Sequence, residues 1–408
     1  MDSVKEFLFN EIEDRDDITD QDLELHLKVG SKQIRNLRSG KRELTFRNLL
    51  VLTQLVDEEN YKEHILNWYD HLDTDDCIRN IFEYAAITRN VDLLDRHLEK
   101  YKTEKKHTVE KYVKVYTFIR DYLKGNVNFS LIDQELDKFK SLNNPKLSIL
   151  VEIYQCISLL QKREFSYVLA KATDLEKQIK AMSAKTQLFE KECYLYRISE
   201  VLAFTHLFMN NLKEAEHYSF ILLNANINKR VDSDALYILG MTKLLTDEKK
   251  CLDLLKRSIE AAKETGVSRL EGYAVYNFNF AKVLLSKPLD GDAPKPLRAL
   301  QQFLNKEISQ EKARDIISEM NDPDLTAYFE SCCGIKNKYK KFCDFVSASN
   351  LFFAVIIVRD LIAVGENSDF VKTLTSNLKT VEKGEVIFEE DFICCFNVCG
   401  SSSRSICA

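Results

Sequence analysis

The chain has 408 residues, a formal net charge of −6, eleven glycines and five prolines. It is too long for one small core, so two or three domains or an extended repeat array are expected. No stretch alternates apolar and polar residues long enough for a sheet, and the cysteines sit mostly singly within apolar helical runs (Cys77, Cys156, Cys193, Cys251, Cys343), which argues for an all-α fold with reduced thiols and against a disulfide scaffold.

Residues 1–57 read as a helix-turn-helix head. Leu23, Leu27, Ile34, Leu37, Leu49, Leu52 and Leu55 recur at helical spacing and define one buried face. Gly30 is expected in the tight turn, where a Cβ would be strained, and Ser31 as the N-cap of the second helix. Ser31, Lys32, Gln33, Arg35 and Asn36 then fall on or near its outer face and are residue types that read base edges in a major groove. Arg38 is counted with them as DNA-binding, and Lys41 and Arg42 in the loop that follows are suited to phosphates, which set register without reading sequence. Residues 28–47 hold seven Lys or Arg against one acid, Glu43. A basic head on an acidic body therefore reconciles the negative net charge with a double-stranded DNA operator as partner. The other reading of these residues is a three-helix cap with a solvated charged face.

Residues 58–100 read as a helical connector, and residues 101–384 as paired amphipathic helices separated by short polar breaks. Asn210 to Leu223, NNLKEAEHYSFILL, matches the second half of a tetratricopeptide repeat, with a small residue at Ala215 and an aromatic at Tyr218. Comparable starts recur at Thr246, Ser309 and Lys338, aligning Cys251, Ala313 and Cys343 as further small residues. Stacked helix pairs give a concave surface suited to an extended peptide. The run Leu351 to Val364 is interrupted by Arg359 and Asp360, so no membrane association is expected; it serves as a dimer interface or as the last core helix. Residues 385–408 form an atypical Cys/Ser-rich tail whose Cys394, Cys395, Cys399 and Cys407 lack the paired spacing of a zinc site. No cofactor is expected: phosphate-loop, H-E-x-x-H and G-x-S-x-G motifs are absent, and the seven histidines show no metal-like pairing. That favours a non-enzyme, and the acidic amphipathic start without an apolar core gives no signal peptide.

Three stretches carry a resemblance: WYDHLDTDDCIRNIFEYA (Trp68 to Ala85), the repeat from Asn210 to Gly240, and AYFESCCGIKNKYKKFCDFVSASNLFF (Ala327 to Phe353). In their order and spacing behind the head, the chain resembles the arbitrium receptors of Bacillus phages, peptide-responsive regulators that choose between lysis and lysogeny. The resemblance implies a homodimeric DNA-binding activator in the cytoplasm of a bacterial host, which takes up a short signalling peptide and then loses productive DNA binding. Arg230 matches the family arginine that holds the peptide carboxylate, a role suited to a guanidinium fork. Asn277 and Asn279 lie where the family places further groove residues, and Tyr237 would form a wall. Phe204 and Phe208 stand where relatives have peptide-binding asparagines, and Asn350 where they tend to have an acid; these departures imply a different, more apolar peptide. Two other readings remain at this point: a repeat-protein adaptor that sequesters a regulatory protein, and a chromosomal or plasmid quorum-sensing regulator.

Overall fold

The computed structural model describes residues 2–103, 107–128, 131–366, 371, 373 and 395–398, and among these every regular element is a helix. Helices α1 (Asp2–Glu13), α2 (Asp20–Leu27), α3 (Ser31–Arg38) and α4 (Phe46–Val56) make the head. Leu8 and Ile12 of α1 meet Leu23, Leu27, Ile34, Leu37, Leu49 and Leu52, all buried, so four short helices close one core that none could close alone. Thr19 and Asp22 form a reciprocal capping box at the start of α2. The turn into α3 differs from the sequence expectation. Lys28, at φ 52°, is the left-handed residue that ends α2, whereas Gly30 is extended at φ −83° and a Cβ there would meet nothing within 4 Å. Gly30 occupies the cap position and Ser31 is the first helical residue, with no side-chain cap bond.

The chain continues through α5 (Tyr61–Trp68), a 3-10 turn at Tyr69–His71, α6 (Asp75–Ile87) and α7 (Val91–Tyr101). It then runs through α8 (His107–Leu123), α9 (Ile132–Asp137), α10 (Pro145–Gln161), α11 (Phe165–Lys180), α12 (Leu188–Phe208) and α13 (Leu212–Ala225). Next come α14 (Lys229–Thr242), α15 (Glu248–Glu264), α16 (Ser268–Leu284) and α17 (Lys295–Leu304). The described helices end with α18 (Gln310–Ser318), α19 (Pro323–Cys332), α20 (Ile335–Ser347) and α21 (Leu351–Ala363). From α10 to α16 each helix packs on the next, and the alternate helices α10, α12, α14 and α16 also touch in succession, so they form one layer with α11, α13 and α15 behind it. Ala215 and Cys251 are fully buried where helices of a pair meet, as is Ala313, but Cys343 is exposed; α20 instead buries Phe342 and Phe345, so the aligned small residue does not mark its packing face.

The far end of the array returns to its middle. Helix α21 touches α12, Arg163 pairs with Asp324, and Ser166 hydrogen-bonds Ser349 at 2.8 Å. Phe352, Phe353, Ile356, Ile357, Val358 and Leu361 are buried within the chain itself, leaving Ile362 and Val364 as the exposed large apolar residues of this stretch. It is thus a core helix, and most of its apolar surface is spent on the fold. No helix among the described residues is long and apolar enough to cross a membrane.

Candidate DNA-reading head and peptide groove

On the head, Ser31, Lys32, Arg35 and Lys41 are exposed, with Gln33, Asn36 and Arg42 half-buried beside them. Arg38 is not presented in this way. Its guanidinium pairs with Asp20 at 3.0 Å and Glu13 at 3.9 Å and lies 5.8 Å from the Phe9 ring centre, which ties α3 to α1 and α2. The basic patch is also thinned by Glu192 of α12. That carboxylate receives Arg47 Nε and Nη2, both at 3.0 Å, and Lys28 Nζ at 3.0 Å. Arg47 also donates to the carbonyls of His26 and Leu27 at the end of α2. Lys32, Arg35, Lys41 and Arg42 are left without an ion pair among the described residues. Gln33 and Arg42 line a cleft of about 500 Å³ between head and array, together with Asn48, Asn80 and Lys185.

The alternate-helix layer carries a second region. A cavity of about 270 Å³ is lined by Arg89 after α6, Tyr122 of α8, Tyr154 of α10, Arg197, Glu200 and Phe204 of α12, and Arg230 and Asp234 of α14. Arg230 and Asp234 also line a neighbouring cavity of about 240 Å³ with Tyr237, Tyr273 and Asn277. The two share a wall and make one groove. Asn228 anchors that wall: its Oδ1 caps α14 by accepting from the Val231 N–H, and its Nδ2 donates to the Ile87 carbonyl at 3.1 Å.

Arg197 is set by buried chemistry. Its Nε donates to Glu83 Oε1 at 2.7 Å and its Nη1 to the Tyr154 hydroxyl at 3.3 Å, while Tyr116 donates to the other Glu83 oxygen at 2.6 Å. Its Nη2 is buried without a partner. Arg230 lies 4.0 Å from Asp234, too long for a hydrogen bond. Burial pushes the Asp234 carboxyl up to about 6, against the pull of Arg230 and Arg89 and with a push from Glu200. The groove thus offers guanidinium donors, two acids and aromatic walls, a set that can hold a peptide carboxylate and a basic side chain at once.

The structure brings Arg230, Tyr237, Asn277 and Phe204 together, with Phe204 and Tyr237 rings 6.4 Å apart. It separates the other three. Asn279 is 5 % exposed and donates to Val275 of its own helix, because two residues along a helix turn by about 200° and put it on the opposite side from Asn277. Asn350 is fully buried: it caps α21 and donates to Asp324, so it is a structural residue of the array's closure. Phe208 stacks on Phe165 at 4.7 Å under the Arg163 guanidinium, away from both cavities. Arg89, Arg197, Glu200 and Asp234 were missed by sequence reasoning. The positions 197, 200 and 204 do share one helical face, which was the available signal.

The tail segment Cys395–Val398 lies buried or half-buried between head and array, while Cys394, Cys399 and Cys407 lie outside the described residues. Among the described residues no group of three His, Cys, Asp or Glu could hold a metal ion.

A family model described as AimR transcriptional regulator-like matches residues 57–330. Two solved structures share the fold: "SeMet-phAimR", 18 % identical with a TM-score of 0.58 over 91 % of this chain and 100 % of that one, and "phAimR-Ligand", 17 % identical with a TM-score of 0.64 over 79 % and 98 %. No protein of curated function matches the sequence.

Proposed function

Since this chain belongs to the AimR transcriptional regulator-like family, we propose that it is a peptide-gated DNA-binding regulator controlling a phage's choice between lysis and lysogeny. The family match begins at residue 57, so operator binding rests on the head itself: a short helix presenting Ser31, Lys32 and Arg35, with Gln33 and Asn36 beside them and Lys41 and Arg42 following. The ligand is a short peptide with a free carboxylate for Arg230 and, in place of the more apolar peptide expected from Phe204, Phe208 and Asn350, a basic residue for Glu200 and Asp234. The protein works in the cytoplasm of the bacterial host as a homodimer, since one helix-turn-helix reads too few base pairs for tight specific binding.

One observation carries this reading. Helix α12 grips the head through Glu192 and, on the same rigid rod, supplies Arg197, Glu200 and Phe204 to the groove. A peptide that shifts α12 therefore acts on the group that holds Arg47. Linkage requires reciprocity: a peptide that weakens operator binding is itself held less tightly by the operator complex.

A gel-shift titration with candidate peptides tests the reading. The expected result is an operator affinity that changes with peptide and an Arg230→Ala variant that no longer responds. Affinity indifferent to every peptide bearing a free carboxylate and a basic residue overturns gating.

A further inference from the structure

Cys395–Val398 sits in the seam between α4 of the head, α6 of the connector and α12 of the array. Phe396 is 3 % exposed, its ring stacked parallel to Tyr84 at 6.1 Å and tilted against Phe189 at 6.0 Å. A single side-chain amide reads both ends of the segment: Gln54 Nε2 donates to the Cys395 carbonyl at 2.5 Å, and Gln54 Oε1 accepts from the Val398 N–H at 3.3 Å. The Cys395 N–H donates to Glu192 Oε2 at 3.4 Å, the oxygen that also receives Arg47 Nε. Asn397 Nδ2 donates to the Asn224 carbonyl at 2.6 Å near the end of α13.

These contacts have the character of ligand recognition. Backbone groups are satisfied by polar partners on both bodies, one aromatic ring fills an aromatic slot, and one amide side chain reaches a carbonyl. Two partners belong to the head's attachment: Gln54 lies on α4, and Glu192 is the carboxylate that holds it. Of the remaining partners, Tyr84 lies on α6 of the connector, and Phe189 and Asn224 belong to the array. We propose that Cys395–Val398 is an intramolecular peptide ligand of a second peptide site, at the head–array seam, and that its occupancy fastens the head to the array. The site takes an aromatic–Asn–aliphatic segment, a chemistry distinct from the charged groove between α12 and α14.

Hydrogen exchange on the full-length chain tests this without DNA, so its outcome is separate from that of the operator reading. Phe396→Ala empties the aromatic slot, and Val398→Pro removes the N–H given to Gln54 while leaving the ring. Both are expected to speed exchange in α4 and the first turns of α12, by about tenfold for Phe396→Ala, with α15 and α17 unchanged. A synthetic peptide of residues 392–400, added in excess to the Phe396→Ala variant, is expected to restore protection. Exchange in the head that stays as in the parent for both variants overturns the proposal, as does acceleration spread evenly over head and array. Should Phe396→Ala fail to fold, Val398→Pro decides alone by the same regional pattern.

Discussion

Glu192 is buried yet ionised, and the reason is local. Burial pushes its carboxyl up, but the Arg47 guanidinium, the Lys28 ammonium and the hydrogen bonds from Arg47 and Cys395 outweigh that and hold it below the ordinary carboxylate value. A carboxylate depressed in the folded state adds stability above its unfolded value, roughly pH 4.3, and loses that contribution as pH falls through the folded value. Chemical unfolding followed against pH is therefore expected to show a loss of stability on acidification that Glu192→Gln lacks. At neutral pH that substitution removes the carboxylate charge facing the buried Arg47 and is expected to cost about 3 kcal/mol. Asp234 has the opposite sign. Its carboxyl is raised to about 6, so it is largely neutral at pH 5 and ionised at pH 7. Affinity for a peptide carrying a basic residue is expected to rise between those values, by up to about tenfold per pH unit below 6, with Asp234→Asn flattening the profile in calorimetric titrations.

Among the elements, α14 and α15 approach closely because Gly240 has no side chain. A Cβ there would stand 2.9 Å from Leu255 Cγ and 3.2 Å from the Cys251 carbonyl oxygen. Gly240→Ala must push the helices apart and is expected to cost about 1–3 kcal/mol, read as a lower thermal midpoint. In α3, the two faces divide the arginines. Arg35 is exposed, whereas Arg38 braces α3 against Asp20 and Glu13. Gel shifts are expected to show Arg35→Ala losing about 1–3 kcal/mol of operator affinity and relaxing sequence preference. Arg38→Ala acts instead on the stability of the head, seen by thermal unfolding. Helical spacing in the sequence was enough to mark α2, α3 and α4 and to bury Leu23, Leu27, Leu37, Leu49 and Leu52, with Leu55 only half-buried at the core's edge. It could not separate Arg38 from Arg35, because that depends on which acids α1 and α2 bring alongside.

At the scale of the whole molecule, α12 is the element that the groove and the head share. Glu192 and Phe204 are twelve residues apart on one uninterrupted helix, about 18 Å along its axis. Severing the grip at one end is expected to uncouple the sites without emptying the groove. A Glu192→Gln protein should bind peptide in calorimetry as the parent does, while its operator affinity in gel shifts no longer changes with peptide. Peptide affinity lost along with the response would count against transmission through this helix.

Four candidate groove residues, Arg230, Tyr237, Asn277 and Phe204, came only from the family resemblance, whereas the amino-acid order by itself determined the helical class, the core of the head and the break positions along much of the array. Those properties follow from local periodicity and from polar residues at helix starts, which act over one or two turns. Only the tertiary structure decided that Asn350 and Asn279 are buried supports, that Arg47 and Lys28 face Glu192 rather than an operator, that Arg89, Arg197, Glu200 and Asp234 complete the groove, and that Phe396 enters the seam beside Tyr84. Each of these pairs residues far apart along the chain, and which side chains meet across such distances is set by how whole helices stack, a quantity no local pattern contains.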